Sequence, residues 1–450
     1  MSTASPPAQF TPDESPPTVR IAAVISTSRT ERRKLIAQLP LRVLTVVAVL
    51  GPLVFAVLLK VQSGNPSDAL FGVWVHSSGY AVSLVILSFA ANWGFPIMAG
   101  VLAGDMFAGE DRQGTWKTIL TRSRSLEEMF AGKVLTAILL ALGLGLLLAV
   151  ASLVAGVSLA GAHPLLDFGG RELSPGHVPV LVGLSWLICL PPLLAYTSLA
   201  ILFSVATRNG IIGVLGPVVV ALITQLLNLI GKGVWVHLLL IGSAFDGWHG
   251  LFAGHPFLGP LLVSLLVCGI WIAVALASAW RILNRRDFIG EGDTPRAGWQ
   301  APLRIALAST AVIGALALAS SVGPAGVTAA RLTASFAPEF RRLTSLQQNL
   351  LGHPIPAGTR FRILPMCGAR HSRREGPGDW MCTMHVYVIL PGGTTPLTDT
   401  PVSYDVSVQS NGCYKASSPP AYVGQAQIRD TRGQIVINPL VIIYGCLNIL

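Results

Sequence analysis

Residues able to act as nucleophiles, metal ligands or acid–base groups are sparse in this chain and are not spaced for catalysis. Of the six cysteines, Cys189 and Cys268 sit inside apolar runs, whereas Cys367, Cys382, Cys413 and Cys446 share the polar C-terminal region. An even set confined to one region suits disulfides, and hence an oxidising compartment, with three possible pairings. A zinc site of the usual kind would use a CxxC pair, and none occurs there. His163, His177, His237, His249 and His255 are scattered between apolar runs, with Asp167 and Asp246 among them. None has a ligand spacing such as H-x-x-x-H, so they read as solvated loop residues rather than a metal or acid–base site. Gly132-Lys133 and Gly231-Lys232 lack the upstream glycine of G-x-x-x-x-G-K-[ST], so no P-loop holds ATP in this chain.

The elements around these residues are apolar. Of 450 residues, 52% are hydrophobic and only 12% are charged, against about 25% charged in a soluble domain. Seven windows are long and apolar enough to cross a bilayer as helices, at about 42–59, 82–104, 134–157, 179–205, 211–230, 260–282 and 303–323. Continuous apolar runs exclude the alternation of a barrel strand. The formal charge of +10 comes without a dense basic block or a nucleic-acid fold signature, so no nucleic-acid partner is expected. The basic residues instead cluster before the first span, in 105–133, around Arg208 and in 284–302. All four segments lie on one side if the N-terminus is cytoplasmic. Seven spans then place the C-terminal region outside, where the cysteines also call for oxidising conditions.

The predicted organisation follows. Residues 1–17 are Pro- and Ser-rich and expected to be disordered. Residues 18–40 read as an interfacial amphipathic helix. A six-span membrane domain covers 41–290, and a linker with the seventh span covers 291–323. Residues 324–450 are expected to form a small extracytoplasmic β-rich domain, with an amphipathic helical connector over 325–352 carrying Phe336, Phe340, Leu343, Leu346 and Leu350. Strands are expected at 385–390, 404–409, 426–429 and 434–444. The fold class is thus an all-α polytopic membrane domain plus a β-rich outer domain.

The segment between spans two and three, GDMFAGEDRQGTWKTILTRSRSLEEMFAGKVL (104–135), is far longer than the roughly two to eight residues a helix–helix connection needs. Gly114 breaks the extension of span two. Trp116, Ile119 and Leu120 then form one apolar helical face, expected to be exposed. Ser125 and Glu128 match a capping box that starts the next helix. That face suits docking on a soluble partner or lying on the membrane surface.

The same segment resembles the ABC-2 type permease family, whose pattern is E-x-x-x-G-T-x-x-x-L-L-x-T-P-x-S-x-x-x-x-x-x-G-K. Here Glu110, Gly114, Thr115, Leu120, Ser125, Gly132 and Lys133 stand at matching spacing, with Ile119 for the first leucine, Thr121 one position ahead of the family's threonine, Arg122-Ser123 where the family commonly has Thr-Pro, and a bulkier Trp116. The close of span six, WRILNRRDFIG (280–290), is also similar. The resemblance covers about residues 18–290. It implies a permease subunit paired with a second permease copy. Each copy would dock on a cytoplasmic ABC ATPase through Glu110, Gly114, Thr115, Trp116, Ile119, Leu120, Ser125, Gly132 and Lys133. ATP and Mg would be bound by that partner, with no cofactor in this chain. Export across a bacterial plasma membrane is likewise implied by the resemblance. Two alternatives stay open. An ion-coupled secondary transporter would place acidic groups inside its spans, which here hold only Asn92, Gln225, Asn228 and scattered hydroxyls. A membrane-anchored sensor or enzyme would use the outer domain.

Overall fold

The computed structural model describes residues 17–61, 71–116, 125–167, 172–229, 240–252, 259–286, 327–356, 358–370, 376, 378–389, 391–392, 399–408, 412–431, 433 and 435–447. The N-terminal helix α1 (Pro17–Ala37) is followed by α2 (Leu39–Val61), α3 (Gly79–Phe89), a π-helical turn (Ala90–Gly94), α4 (Phe95–Ala103) and the short α5 (Ala108–Gln113). Next come α6 (Leu126–Ala160), α7 (His177–Ile188), α8 (Leu190–Thr207), α9 (Gly210–Leu229), α10 (Ile241–Ala244) running into a 3-10 segment (Phe245–Phe252), and α11 (Gly259–Asn284). Among the described residues five helical stretches are long and apolar enough to span a membrane: Leu39–Val61, Gly79–Gln113, Leu126–Ala160, His177–Thr207 and Ser264–Asn284; Gly210–Leu226 is a shorter apolar helix. They coincide with the first six predicted spans. The predicted seventh, 303–323, lies outside the described residues, as do residues 1–16 of the disordered segment predicted for 1–17, whose last residue, Pro17, instead begins α1.

Two of these spans are interrupted, and proline explains both breaks. Pro191 and Pro192 have no N–H for the carbonyls one turn back, so the chain leaves helical geometry at Cys189 before resuming as α8. Pro96 likewise cannot donate to the Asn92 carbonyl, and the π-helical turn sits there. The Gln225 side-chain amide of α9 supplies a donor to that oxygen at 2.9 Å. Asn92 and Gln225 therefore stitch two helices together. A second stitch joins Ser83 and Ser152, 3.0 Å apart, with the Trp186 indole N–H donating to Ser83. Where α4 meets α9 the backbones touch: a Cβ built on Gly213 would lie 2.0 Å from the Gly104 carbonyl oxygen.

The C-terminal unit opens with α12 (Ala329–Leu350), the predicted connector helix. Leu332, Phe336, Phe340 and Leu343 recur at helical spacing and are buried. They cover one face of a five-stranded antiparallel sheet of order β1-β2-β3-β4-β7, built from β1 (Arg360–Ala369), β2 (Gly378–Ile389), β3 (Asp399–Val408), β4 (Cys413–Ser417) and β7 (Ile442–Cys446). A helical turn, α13 (Pro420–Val423), and the hairpin β5 (Gln427–Arg429) and β6 (Ile435–Ile437) lie between β4 and β7. The single strand expected over 434–444 is corrected to two. Asn438 breaks it, because its buried amide donates to the Val423 and Gln425 carbonyls and accepts from the Leu440 N–H. Pro439 then prevents continued pairing.

Sheet register selects one of the three cysteine pairings. Cys367 stands opposite Cys382 and Cys413 opposite Cys446, and both pairs are disulfide-bonded with S–S of 2.05 Å. The second bond closes the longer loop, so it restricts the unfolded chain more. Replacing Cys413 and Cys446 together by Ala should lower stability by about 2–5 kcal/mol. Thermal unfolding of the purified protein under non-reducing conditions would measure this; an unchanged midpoint would mean the pair is not oxidised.

Candidate functional site: a charge-clamped hub on α5

The helix α5 is short, yet it is fixed at both ends and from three sides. The backbone N–H groups of Phe107 and Ala108, unpaired within so short a helix, donate to the Ser204 hydroxyl of α8 at 3.2 and 3.0 Å. Glu110 and Asp111 occupy its first turn, where the helix dipole favours negative charge. Gly114 ends it at φ 64°, a left-handed position that glycine adopts without Cβ strain.

Glu110 is the centre of the cluster and is 3% exposed. It lies beyond the apolar window over 82–104, outside the spanning part of its stretch. One of its carboxylate oxygens accepts from Lys34 of α1 at 2.5 Å and from Lys133 of α6 at 3.2 Å. The other accepts from the Thr115 hydroxyl. Lys133 is fully buried and directs its ammonium at three acceptors: Glu110, Glu31 of α1 at 3.1 Å, and the Met106 carbonyl at 3.2 Å. That matches the three donors of an ammonium group. Two carboxylates and two ammonium groups make the cluster neutral, the condition for burying charges at tolerable cost. Burial opposes the ionised form of Glu110, but Lys133, then the Lys34 and Thr115 hydrogen bonds, outweigh it and hold the carboxyl down to about 2.

The third side is the chain just past the end of α11, where Arg286 pairs with Asp111 at 3.0 Å, both largely buried. An aromatic stack supports the cluster. Lys133 lies over the Phe107 ring at 5.6 Å, Trp116 stacks on Phe107 at 6.3 Å, and Phe130 connects Phe107 to Trp280 of α11. The Arg112–Asp105 pair is exposed and contributes little by comparison.

The Gly132-Lys133 pair now has a physical meaning. A Cβ on Gly132 would sit 2.6 Å from the Thr27 methyl, so glycine lets α1 lie directly against α6. Thr136, one turn on, donates to the Ser28 carbonyl. The face of α1 turned to α6 is therefore polar (Thr27, Ser28 and Glu31 are buried) while Ile21, Ile25 and Ile36 are exposed.

Among the predicted residues, Glu110, Thr115, Trp116, Gly132 and Lys133 converge on this hub. Gly114 forms the turn after it. Ser125 caps α6 reciprocally with Glu128, both hydrogen bonds at 3.2 Å. Ile119 and Leu120 lie outside the described residues. One expectation is corrected: Trp116 is not exposed but 5% accessible, because Phe107 folds back to stack with it. Glu31, Lys34, Asp111, Arg286 and Ser204 are hub residues that sequence reasoning misses. For the four charged ones the only sequence signal is charge near span ends, which does not say which side chain turns inward, and Ser204 has none. The expectation of solvated histidines is corrected at His249, which is buried 3.7 Å from Asp246 beneath Trp248; His163 and His177 are exposed. Among the described residues no group of three or more His, Cys, Asp or Glu side chains is arranged to hold a metal.

Residues 29–228, which span α1 to α9 and include the whole hub except Arg286 and Trp280, match a family model described as ABC-2 family transporter protein. No curated protein matches the chain.

Proposed function

We propose that this multi-pass membrane protein, whose residues 29–228 belong to the ABC-2 transporter family, is the permease subunit of an ATP-binding-cassette exporter. A separate cytoplasmic ATPase dimer binds ATP and Mg and supplies the energy. A second permease copy completes the transport path. The N-terminus and α5 face the cytoplasm, and the disulfide-bonded sheet is extracytoplasmic.

The observation that carries this proposal is the convergence of α1, α6 and the segment just after α11 on α5 through ion pairs to the buried Glu110 and the largely buried Asp111, with Glu31 tying α1 to α6 at Lys133. A push on the segment after Gly114 reaches three helices at once, because each is held by a charge that cannot separate from its partner without a large desolvation cost. The docking surface comprises the exposed residues beside the hub, Arg112, Gln113 and Gly114, together with Ile119, Leu120 and Ser125. Trp116 supports that surface from inside.

The test is a Gln113→Cys variant in otherwise native protein, expressed with the ABC ATPase that co-purifies with it. Cross-linking to the ATPase is expected, along with labelling of the introduced thiol only after the membrane is opened. Labelling from outside intact cells, or transport that persists without any ATPase, would overturn the assignment.

A further inference from the structure

The outward face of α1 carries a feature that the hub does not use. Ile21, Ile25, Arg29, Arg32 and Ile36 recur at helical spacing and are all exposed, with Arg33 beside them. Two guanidinium side chains are thus flanked by isoleucines along one stripe. The single acidic residue of the helix, Glu31, points the other way, into Lys133. Among the described residues no carboxylate pairs with Arg29, Arg32 or Arg33.

From this geometry we infer that the stripe is a binding site for anionic phospholipid headgroups, with the isoleucines on either side of the arginines entering the acyl boundary. Charge complementarity selects the headgroup, since three unpaired guanidiniums present forked donors to phosphate. Continuity selects a bilayer as the source. The helix is joined to the first span within two residues, and the Arg42 guanidinium donates to the Ile36 carbonyl across that joint. The exposed side chains Leu39, Val43 and Val46 carry the apolar surface onward into the span. Guanidiniums on apolar stems beside the start of a span are held at the headgroup layer of an anionic bilayer surface. Because Glu31 occupies the opposite face, a lipid on the stripe fixes the position from which α1 grips Lys133 and the hub. That last step rests on the transporter function proposed above; lipid binding itself does not.

The experiment is titration of phosphatidylglycerol and phosphatidylcholine into the delipidated, detergent-solubilised full chain, followed by native mass spectrometry. Wild type should bind phosphatidylglycerol preferentially. The Arg29→Gln/Arg32→Gln/Arg33→Gln variant should lose roughly five-fold in affinity per arginine, on the order of 100-fold in all. The corresponding triple lysine variant keeps the charge but loses the forked donors, so it should bind more weakly than wild type and more tightly than the Gln variant, and phosphatidylcholine should be unaffected. Should the triple Gln variant fail to fold, Arg29→Gln alone should still show about a five-fold loss. Equal phosphatidylglycerol binding by wild type and the Gln variants overturns the inference. So does a Gln variant that loses its ATPase in co-purification while keeping its lipid, since the stripe would then be a protein-docking face. A transporter assignment that failed on other grounds would leave the lipid result standing.

Discussion

Replacing Lys133 by Met should destabilise the solubilised protein by about 3–5 kcal/mol, the cost of leaving buried carboxylates without their cation. Glu31 would lose the ammonium 3.1 Å away, and Glu110 would keep only Lys34, whose side chain is 44% exposed. The measurement is thermal unfolding in detergent, read by tryptophan fluorescence. A Lys133→Met/Glu110→Gln pair should be less destabilised than the sum of its single variants, because the two charges interact directly. Strict additivity would show that the cluster is not a unit. Acid provides a second check. A carboxyl held below its ordinary value contributes stability above that value and loses it as pH falls through the lower one. For Glu110 the window runs from the ordinary value of 4.5 down to about 2. The gap between wild type and Glu110→Gln should therefore be full at neutral pH and close across that window. A gap that widened on acidification would contradict the assigned pairing. Coupled transport should fall with stability in Lys133→Met, but Glu110→Asp, which keeps the charge on a shorter stem, should separate misplacement from loss of charge.

A single methyl group at Gly213 should have an effect out of proportion to its size. The added carbon would lie 2.0 Å from the Gly104 carbonyl oxygen and 2.7 Å from its carbon, so the obstacle is backbone and cannot rotate aside. Gly213→Ala should therefore force α4 and α9 apart, costing about 1–3 kcal/mol as overpacking. Because α4 leads directly into α5, the displacement should also weaken the Ser204 contacts that hold the start of that helix. Gly143→Ala is the matched control: nothing lies within 4 Å of its added carbon, and it should melt with wild type. Equal melting of both variants would show that the α4–α9 contact is looser than described.

The spans were legible because hydrocarbon requires uninterrupted apolar helices, and such runs stand out without any tertiary information. The capping box at Ser125 and Glu128 was legible for a similar reason, being a local pattern with a local cause. The cysteine set was legible as disulfides, but its pairing was not, since register decides which residues face each other. Strand β1 is not among the expected strands, and it carries Pro365 and Gly368, residue types depleted in strand interiors. It is the edge of the sheet, where a missing donor is tolerated. The hub itself was only half legible. Glu110 and Lys133 were marked by spacing, but their partners Glu31 and Lys34 come from a charged stretch far away in sequence, and local composition cannot say which of those charges turns inward. Trp116 reads as outward-facing for the same reason, because Phe107 becomes its neighbour only after the chain turns back.

The 35-residue helix α6 carries Lys133 near its start and contains no proline. At 1.5 Å per residue it is about 52 Å long, whereas the hydrocarbon layer is only about 30 Å thick. It is therefore a stiff beam that projects well beyond the layer it crosses. A stiff beam cannot absorb a sideways pull at one tip by bending locally. A tilt of about 5° around its midpoint would swing each tip by roughly 2 Å in opposite directions. Motion imposed on the Lys133 end is thus delivered, reversed in sense, to the residues around Ala160 on the far side.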